Sequence, residues 1–82
     1  MKAELSPKVL RMLSRLHNPD LKRILKALNK LEEEPPQGDI KTLSGEEGYR
    51  LRVGKYRILF NVMDDCIYVH DMGLRGQIYK RR

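Results

Sequence analysis

Three arginines alternate with apolar residues in two neighbouring strand-like segments of this 82-residue sequence. Arg50 and Arg52 do so over residues 49–53, and Arg57 does so over residues 56–62. Successive side chains of a strand point to opposite faces, so the three guanidinium groups should share one face if the apolar residues face a core. Guanidinium groups form bidentate hydrogen bonds with phosphate, and we therefore predict that this face binds phosphate groups.

A third predicted strand, over residues 66–72, extends this polar face. Its alternation places Ile67 and Val69 toward the core and directs Tyr68 and His70 to the side of the arginines. Arg75 and Tyr79 follow just after it. A surface with four arginines, a tyrosine and a histidine could orient a phosphodiester and stabilise the charge of its transition state.

The sequence contains no recognisable metal site. Carboxylates are not clustered, histidines are not paired at ligand spacing, and Cys66 is the only cysteine. We therefore expect no cofactor, and nucleic-acid chemistry on this surface would have to be metal-free. RNA allows this because its 2′-hydroxyl is an internal nucleophile that needs only proton transfer and charge neutralisation. The alternative is structural: His70 can be a solvent-facing strand residue, and Lys80, Arg81 and Arg82 a plain basic tail.

The charge distribution indicates a polyanionic partner. The formal net charge is +6, and it is uneven: residues 1–48 carry 9 Lys/Arg against 8 Asp/Glu, whereas residues 49–82 carry 8 against 3. Such asymmetry is typical of proteins that bind nucleic acid, an acidic protein, or both. The sequence shows neither an apolar signal segment nor 18 consecutive apolar residues, and we expect a cytoplasmic protein.

Two helices with a short link are predicted before these strands. Ser6-Pro7 and Asn18-Pro19 are start signals, because each places an N-cap residue before a proline. The first helix should end near His17, and the second carries an apolar stripe from Leu21 to Leu31. Pro35-Pro36 stops it. The pair is predicted to form a helical hairpin.

The remaining segments complete an α+β domain. Residues 35–48, rich in proline, glycine and glutamate, are interpreted as a loop, and residues 76–82 as a short basic tail. Strands are predicted over residues 2–5, 49–53, 56–63 and 66–72. The predicted order is β-α-α-β-β-β, with an antiparallel sheet and the helical hairpin packed on one face, in one domain over residues 1–82.

Two motifs extend this interpretation from fold to family. One runs Tyr49-Arg50-Leu51-Arg52-Val53-Gly54-Lys55-Tyr56-Arg57-Ile58, preceded by Leu43-Ser44-Gly45, and the other is Met72-Gly73-Leu74-Arg75 followed by Ile78-Tyr79. Together with the order of the helices, they resemble the RelE/ParE superfamily of bacterial and archaeal toxins from toxin–antitoxin pairs. The resemblance covers nearly the whole chain and implies the RelE-like microbial RNase-type fold.

In the RelE branch, the resemblance implies a ribosome-dependent endoribonuclease that cleaves mRNA in the ribosomal A site and so inhibits translation. The two basic strand positions of that branch fall on Arg50 and Arg52, its phosphate-binding arginine on Arg57, its late arginine on Arg75, and its terminal tyrosine on Tyr79. The predicted catalytic residues are Arg52, Arg57, Arg75 and Tyr79. The predicted RNA-binding residues are Arg50, Lys55, His70, Lys80 and Arg81.

The sequence also departs from the RelE pattern. The best-known RelE toxin has lysines where this chain has Arg50 and Arg52, and arginine is a poorer proton shuttle because its pKa exceeds about 12. A common histidine is replaced by Leu74, and a frequent basic residue by Gly76. Either Tyr79 is the base or cleavage is weak. The alternative is the ParE branch, which shares the fold, lacks a nuclease site and poisons DNA gyrase.

The resemblance further implies a cognate RelB-like antitoxin. A chain with net charge +6 would attract an acidic, partly disordered segment that folds on binding. That segment could cover the arginines with carboxylates, or displace the tail that carries Tyr79. We favour an amphipathic helix along the helical hairpin plus an extended strand at a sheet edge. The ribosome and mRNA are the other expected partners, operator DNA is contacted only through the toxin–antitoxin complex, and no membrane partner is expected.

Overall fold

The computed structural model describes residues 1–80, with side chains through Ile78. The elements in this part of the chain are β1 (Lys2–Leu5), α1 (Pro7–Ser14), α2 (Asp20–Leu31), β2 (Asp39–Thr42), β3 (Tyr49–Val53), β4 (Tyr56–Met63), β5 (Cys66–Leu74) and α3 (Arg75–Lys80). The predicted α+β class is confirmed. None of the described helices has the length and apolar character needed to cross a membrane.

The strands form one sheet in the order β1-β5-β4-β3-β2. Neighbouring strands from β2 to β5 are antiparallel, whereas β1 runs parallel to β5, with Lys2 beside Cys66 and Leu5 beside Val69. The sheet is therefore mixed, and the prediction of a wholly antiparallel sheet is wrong in this respect. Strands β1 and β5 are far apart in the sequence, so no hairpin turn forces β1 to run antiparallel to β5.

Two element predictions need correction because local apolar patterns are short or misleading. Residues 35–48, predicted as a loop, contain strand β2, whose only apolar residue is Ile40. Helix α1 ends at Ser14 instead of near His17. The apolar pattern continues to Leu16, but its N–H donates to the carbonyl of Leu13 at 3.1 Å, three residues back. This tighter turn closes the helix early.

The main core lies between the helical hairpin and one face of the sheet. It buries Val9 and Leu13 of α1, Ile24, Leu28 and Leu31 of α2, and Leu51, Ile58, Phe60, Ile67, Val69 and Met72 of the sheet. Leu51 and Ile58 lie opposite each other and are each 1% exposed, whereas Arg52 is exposed. The apolar parity of β3 and β4 therefore faces the helices, as predicted.

A bulge in β5 changes the alternation that the sequence suggests. Phe60 pairs with Val69, but the preceding Leu59 pairs with Asp71, so His70 is the extra residue. Beyond it, Met72 joins the core and Asp71 lies on the same side of the sheet as Leu59. A bulge redirects side chains in this way because two residues oppose one.

The face assignment predicts opposite effects for two adjacent residues. Leu51→Ala should lower the free energy of unfolding by about 2–5 kcal/mol because it leaves a cavity in the core. Arg52→Ala, on the exposed side, should change it by less than about 0.5 kcal/mol. Urea unfolding of both variants measures this difference, and equal losses would contradict the face assignment.

Candidate functional site

The face of the sheet opposite the helical hairpin carries a row of paired cations. Arg52 of β3 lies directly opposite Arg57 of β4, with Asp39 of β2 beyond Arg52 and Gly73 of β5 beyond Arg57. We call these four positions the arginine row. Like charges placed directly opposite each other destabilise a sheet. The pair is therefore a candidate site for binding an anion.

The three strand arginines share a face but differ in exposure. Arg52 is exposed, whereas Arg57 is only 5% exposed and donates through Nη1 to the carbonyl of Tyr56 at 3.2 Å. The Arg50 side chain is 13% exposed, and its Nη1 lies 3.2 Å from the carbonyl oxygen and 3.5 Å from Oδ1 of Asp39. Solvent therefore reaches Arg52 most easily.

Helix α3 lies where the sequence suggested only a basic tail. The prediction of a short tail over residues 76–82 is wrong for residues 76–80, because Ile78 is fully buried and α3 packs against β4 and β5. Leu59, on the arginine side of β4, is also fully buried although it is outside the main core. Part of the predicted groove is therefore covered by α3.

Arg75 is exposed at the start of α3, at the same end of the sheet as the arginine row. Its N–H donates to the carbonyl of Lys55 in the β3–β4 turn at 3.0 Å. Tyr79 and Lys80 lie in the last turn of α3, but their side chains, and the whole of Arg81, are outside the described part of the structure. Their predicted roles stay predictions.

Lys55 and His70 make contacts with residues outside the arginine row. The Nζ atom of Lys55 lies 3.5 Å from Oδ2 of Asp20 in α2, which directs this cation toward the helices. His70 is half-buried in the bulge, where its carbonyl accepts a hydrogen bond from the Ser6 hydroxyl at 3.3 Å. Tyr68 is more exposed, at 37%, and the hydrogen bond with the Cys66 thiol raises its pKa.

Two carboxylates on the arginine side were not singled out from the sequence. Asp71 is 7% exposed, pairs with Lys8 of α1 at 3.2 Å and accepts from the N–H of Met72 at 2.8 Å. Its position depends on the bulge, which the simple alternation does not reveal. Asp39 was missed because residues 39–42 contain one apolar residue, Ile40, too weak a pattern to indicate a strand. Among the described residues, no three metal-ligating side chains come together.

A hydrogen bond connects the N-terminus of α2 to the hairpin of strands β3 and β4, which carries the arginines. The Tyr56 hydroxyl donates to Oδ2 of Asp20 at 3.1 Å. Burial raises the pKa of Tyr56, and the hydrogen bond to Asp20 raises it further, while Lys55 acts in the opposite direction. This contact helps to fix the β3–β4 turn, and Arg52 and Arg57 lie in the strands on either side of that turn.

Removal of this hydroxyl should change how stability depends on pH. The pKa of Tyr56 is higher in the folded chain than in the unfolded chain, where it is about 10. The hydroxyl therefore stabilises the fold below that pH, and this contribution is lost as the pH rises through the pKa of the folded chain. Tyr56→Phe should lower the free energy of unfolding by about 0.5–1.5 kcal/mol at neutral pH. Above about pH 10, urea titrations should show a smaller further loss than in wild type, and parallel losses would contradict this contribution.

Comparisons with known proteins agree on a superfamily and differ on the branch. Residues 3–79 match the family model described as ParE toxin of type II toxin-antitoxin system, parDE. A chain of the RelB–RelE antitoxin–toxin complex from Methanococcus jannaschii is similar in structure, with a TM-score of 0.77 and 26% identity over 94% of this chain and 95% of that chain.

Two further solved structures show the same fold. A chain of the RelE–RelB complex from Pyrococcus horikoshii OT3 has a TM-score of 0.74 and 26% identity, over 93% of this chain and 96% of that chain. The isolated E. coli RelE toxin has a TM-score of 0.73 and 20% identity, over 98% and 92%. No curated protein matches the sequence significantly. The resemblance that the two sequence motifs suggested is confirmed.

Proposed function

We propose that this chain, which belongs to the ParE toxin family of type II toxin–antitoxin systems, is an mRNA interferase, because it has the fold of RelE toxins and pairs two arginines across its sheet. In this proposal residues 1–82 form one toxin domain that acts in the cytoplasm. It cleaves mRNA in the ribosomal A site, without a metal or other cofactor, and so inhibits translation.

The observation that supports this proposal most strongly is the cross-strand pair of Arg52 and Arg57. The exposed Arg52 offers guanidinium donors to a phosphate, the largely buried Arg57 adds a second positive charge on the same face, and the exposed Arg75 begins the helix at this end of the sheet.

In the proposed reaction, the 2′-hydroxyl oxygen attacks the adjacent phosphorus and the bond from phosphorus to the 5′-oxygen breaks. The products are a 2′,3′-cyclic phosphate and a 5′-hydroxyl end, whose oxygen takes its proton from solvent water. Arg52 and Arg57 stabilise the charge that develops on the phosphorane oxygens. They cannot accept the proton of the 2′-hydroxyl, because guanidinium groups stay protonated.

Tyr79 is the proposed base for this proton. A free tyrosine has a pKa near about 10, and nearby cations must lower it if the phenolate is to act at neutral pH. Arg75 begins the helix whose last turn contains Tyr79, so the two residues are held on one short element. Arg75 is proposed to lower the pKa of Tyr79 or to stabilise the leaving oxygen.

A reconstituted translation reaction tests the proposal. The purified chain should cleave mRNA when ribosomes are present and leave the same mRNA intact when they are omitted. Inhibition of translation without any cleavage would contradict the nuclease assignment. The product ends should be a cyclic phosphate and a 5′-hydroxyl.

The match to the ParE family model favours one alternative, inhibition of DNA gyrase without enzymatic activity. In that case, the purified chain would block supercoiling by gyrase, and mRNA would stay intact on ribosomes. Tyr79→Phe should then leave inhibition unchanged, because no proton transfer is involved.

We also propose a RelB-like antitoxin as the cognate partner, since the similar structures from M. jannaschii and P. horikoshii are antitoxin–toxin complexes. Of the two outer strands, β1 is the less available for an added strand, because the N–H of Ala3 donates to Oε2 of Glu32 at 2.7 Å. The outer edge of β2 has no neighbouring strand in the described part of the chain. An antitoxin strand is therefore proposed to pair with β2.

The outer surface of the helical hairpin suggests where an antitoxin helix would bind. Leu10 of α1 is 54% exposed and Leu25 of α2 is 44% exposed. Large apolar side chains in such positions are available to an amphipathic helix. The proposed interface thus combines the hairpin surface with the β2 edge.

Substitutions on the hairpin test this interface directly. Leu10→Ser and Leu25→Ser should each weaken the complex with the cognate antitoxin, which we expect to be encoded beside this chain, by about fivefold or more, as expected for apolar interface residues. Lys26→Ser, next to Leu25 on α2, is the control. Titration of the complex measures the change, and unaltered affinity in both leucine variants would contradict the proposed helix position.

A further inference from the structure

The contact between Arg50 and Asp39 is placed where an incoming phosphate would compete for it. The guanidinium of Arg50 contacts both the carbonyl and the carboxylate of Asp39, and its side chain is 13% exposed. The Asp39 side chain is 49% exposed, so solvent and ions reach the carboxylate. Another anion can therefore displace the carboxylate from Arg50, while the contact with the main-chain carbonyl remains.

The register of β2 shows which cations surround this carboxylate. Asp39 lies opposite Arg52 at the end of the arginine row, whereas Arg50 lies opposite Lys41. The contact with Arg50 is thus diagonal, and it brings the carboxylate of Asp39 beside two arginines of β3. Carboxylates and phosphates use the same guanidinium donors, so one anion excludes the other.

We propose that the Asp39 carboxylate acts as an internal substitute for phosphate. The carboxylate occupies Arg50 until a backbone phosphate of single-stranded RNA displaces it. Arg50 then provides a second phosphate subsite beside the arginine row. Asp39 is a positioning residue in the free chain, and it sets the affinity of this subsite. The inference rests on the proposed RNA-directed function and adds a subsite to it.

Neutralisation of Asp39 should remove the negative charge that competes with RNA for Arg50, although the main-chain carbonyl contact stays. An ion pair with a half-exposed partner contributes little, so Asp39→Asn should raise the affinity for RNA by about two- to fivefold. One additional phosphate contact should also make the dependence of binding on salt steeper, by about 0.7 in the slope for a single strand. A change confined to folding would not alter this slope.

The test measures binding of a short fluorescein-labelled single-stranded RNA to the free chain over a range of KCl concentrations. The set comprises wild type, Asp39→Asn, Arg50→Gln and the double variant. Asp65→Asn, in the β4–β5 turn, removes the same charge away from the arginines and serves as the control. Arg50→Gln should weaken binding more in the Asp39→Asn background than in wild type.

A gain in affinity and slope for Asp39→Asn alone, together with this coupling to Arg50, would support the inference. Equal gains in Asp39→Asn and Asp65→Asn would overturn it, since they would show only an effect of net charge. Weaker binding by Asp39→Asn, or a chain that binds no RNA, would also overturn it. A parallel cleavage reaction on ribosomes separates the two proposals: coupling without cleavage contradicts the nuclease function alone.

Discussion

Tyr79→Phe should lower the rate of mRNA cleavage on the ribosome by about 10²–10⁴-fold, which is the usual loss when a proton-transfer group is removed. The substitution keeps the aromatic ring and removes only the group that would accept the 2′-hydroxyl proton. Single-turnover cleavage of a programmed ribosome complex measures the chemical step. In wild type, the rate should rise with pH until the pKa of Tyr79 is reached, and Tyr79→Phe should lose this dependence.

Tyr68→Phe is the matched control, because Tyr68 is an exposed tyrosine on the strand that precedes α3. It lies opposite Asn61, two paired positions along β4 from Leu59 and four from Arg57. Its loss should leave the cleavage rate within a few-fold of wild type. If Tyr68→Phe impairs cleavage and Tyr79→Phe does not, the assignment of the base is wrong.

Arg52→Ala should lower the cleavage rate by about 10²–10³-fold, because it removes a positioned cation from the developing phosphorane charge. Arg52 is exposed, so the loss should not come from unfolding. Arg52→Lys should recover only part of the rate, since a lysine cannot donate the bidentate hydrogen bonds of a guanidinium. The measurement is the same single-turnover reaction, with urea unfolding as a check on the fold.

Lys41→Ala is the control for Arg52→Ala. Lys41 is also an exposed cation on this side of the sheet, opposite Arg50, but it lies outside the arginine row. Its removal should weaken RNA binding slightly and leave the rate of the bound complex unchanged. Equal losses of rate in both variants would indicate that only the overall positive charge matters.

The sequence predicted the parts of the fold in which burial and alternation agree. Leu51 and Ile58 are buried on one side of β3 and β4 while Arg52 projects from the other, because one face of these strands packs on the helices. The period of two is then enforced by the core itself. The convergence of the arginines could therefore be predicted without a structure.

The remaining features depend on contacts that a local pattern does not contain. Strand β2 has a single apolar residue, Ile40, and it forms because β3 offers it an edge to pair with. Helix α3 depends on the burial of Ile78, and the bulge at His70 depends on the register of β4 with β5. Each is decided by tertiary packing.

The same limit applies within the site. The alternation placed Arg50 and Arg57 on the same face as Arg52, but it could not show that both are largely buried or that Asp39 holds Arg50. These contacts come from β2 and from packing across the sheet. Arg52 is the exposed arginine of the three, so an RNA would meet it first.

Primer extension on cellular mRNA after induction of the chain is the most direct test of the nuclease function. New 5′ ends should appear within translated regions, at positions that correspond to the ribosomal A site, and Arg52→Ala and Tyr79→Phe should strongly reduce them. A co-expressed reporter mRNA should show the same ends, and they should disappear when its translation is blocked by removal of its start codon. Growth arrest by the wild-type chain with no such cleavage, or cleavage that persists on the untranslated message, would contradict the account.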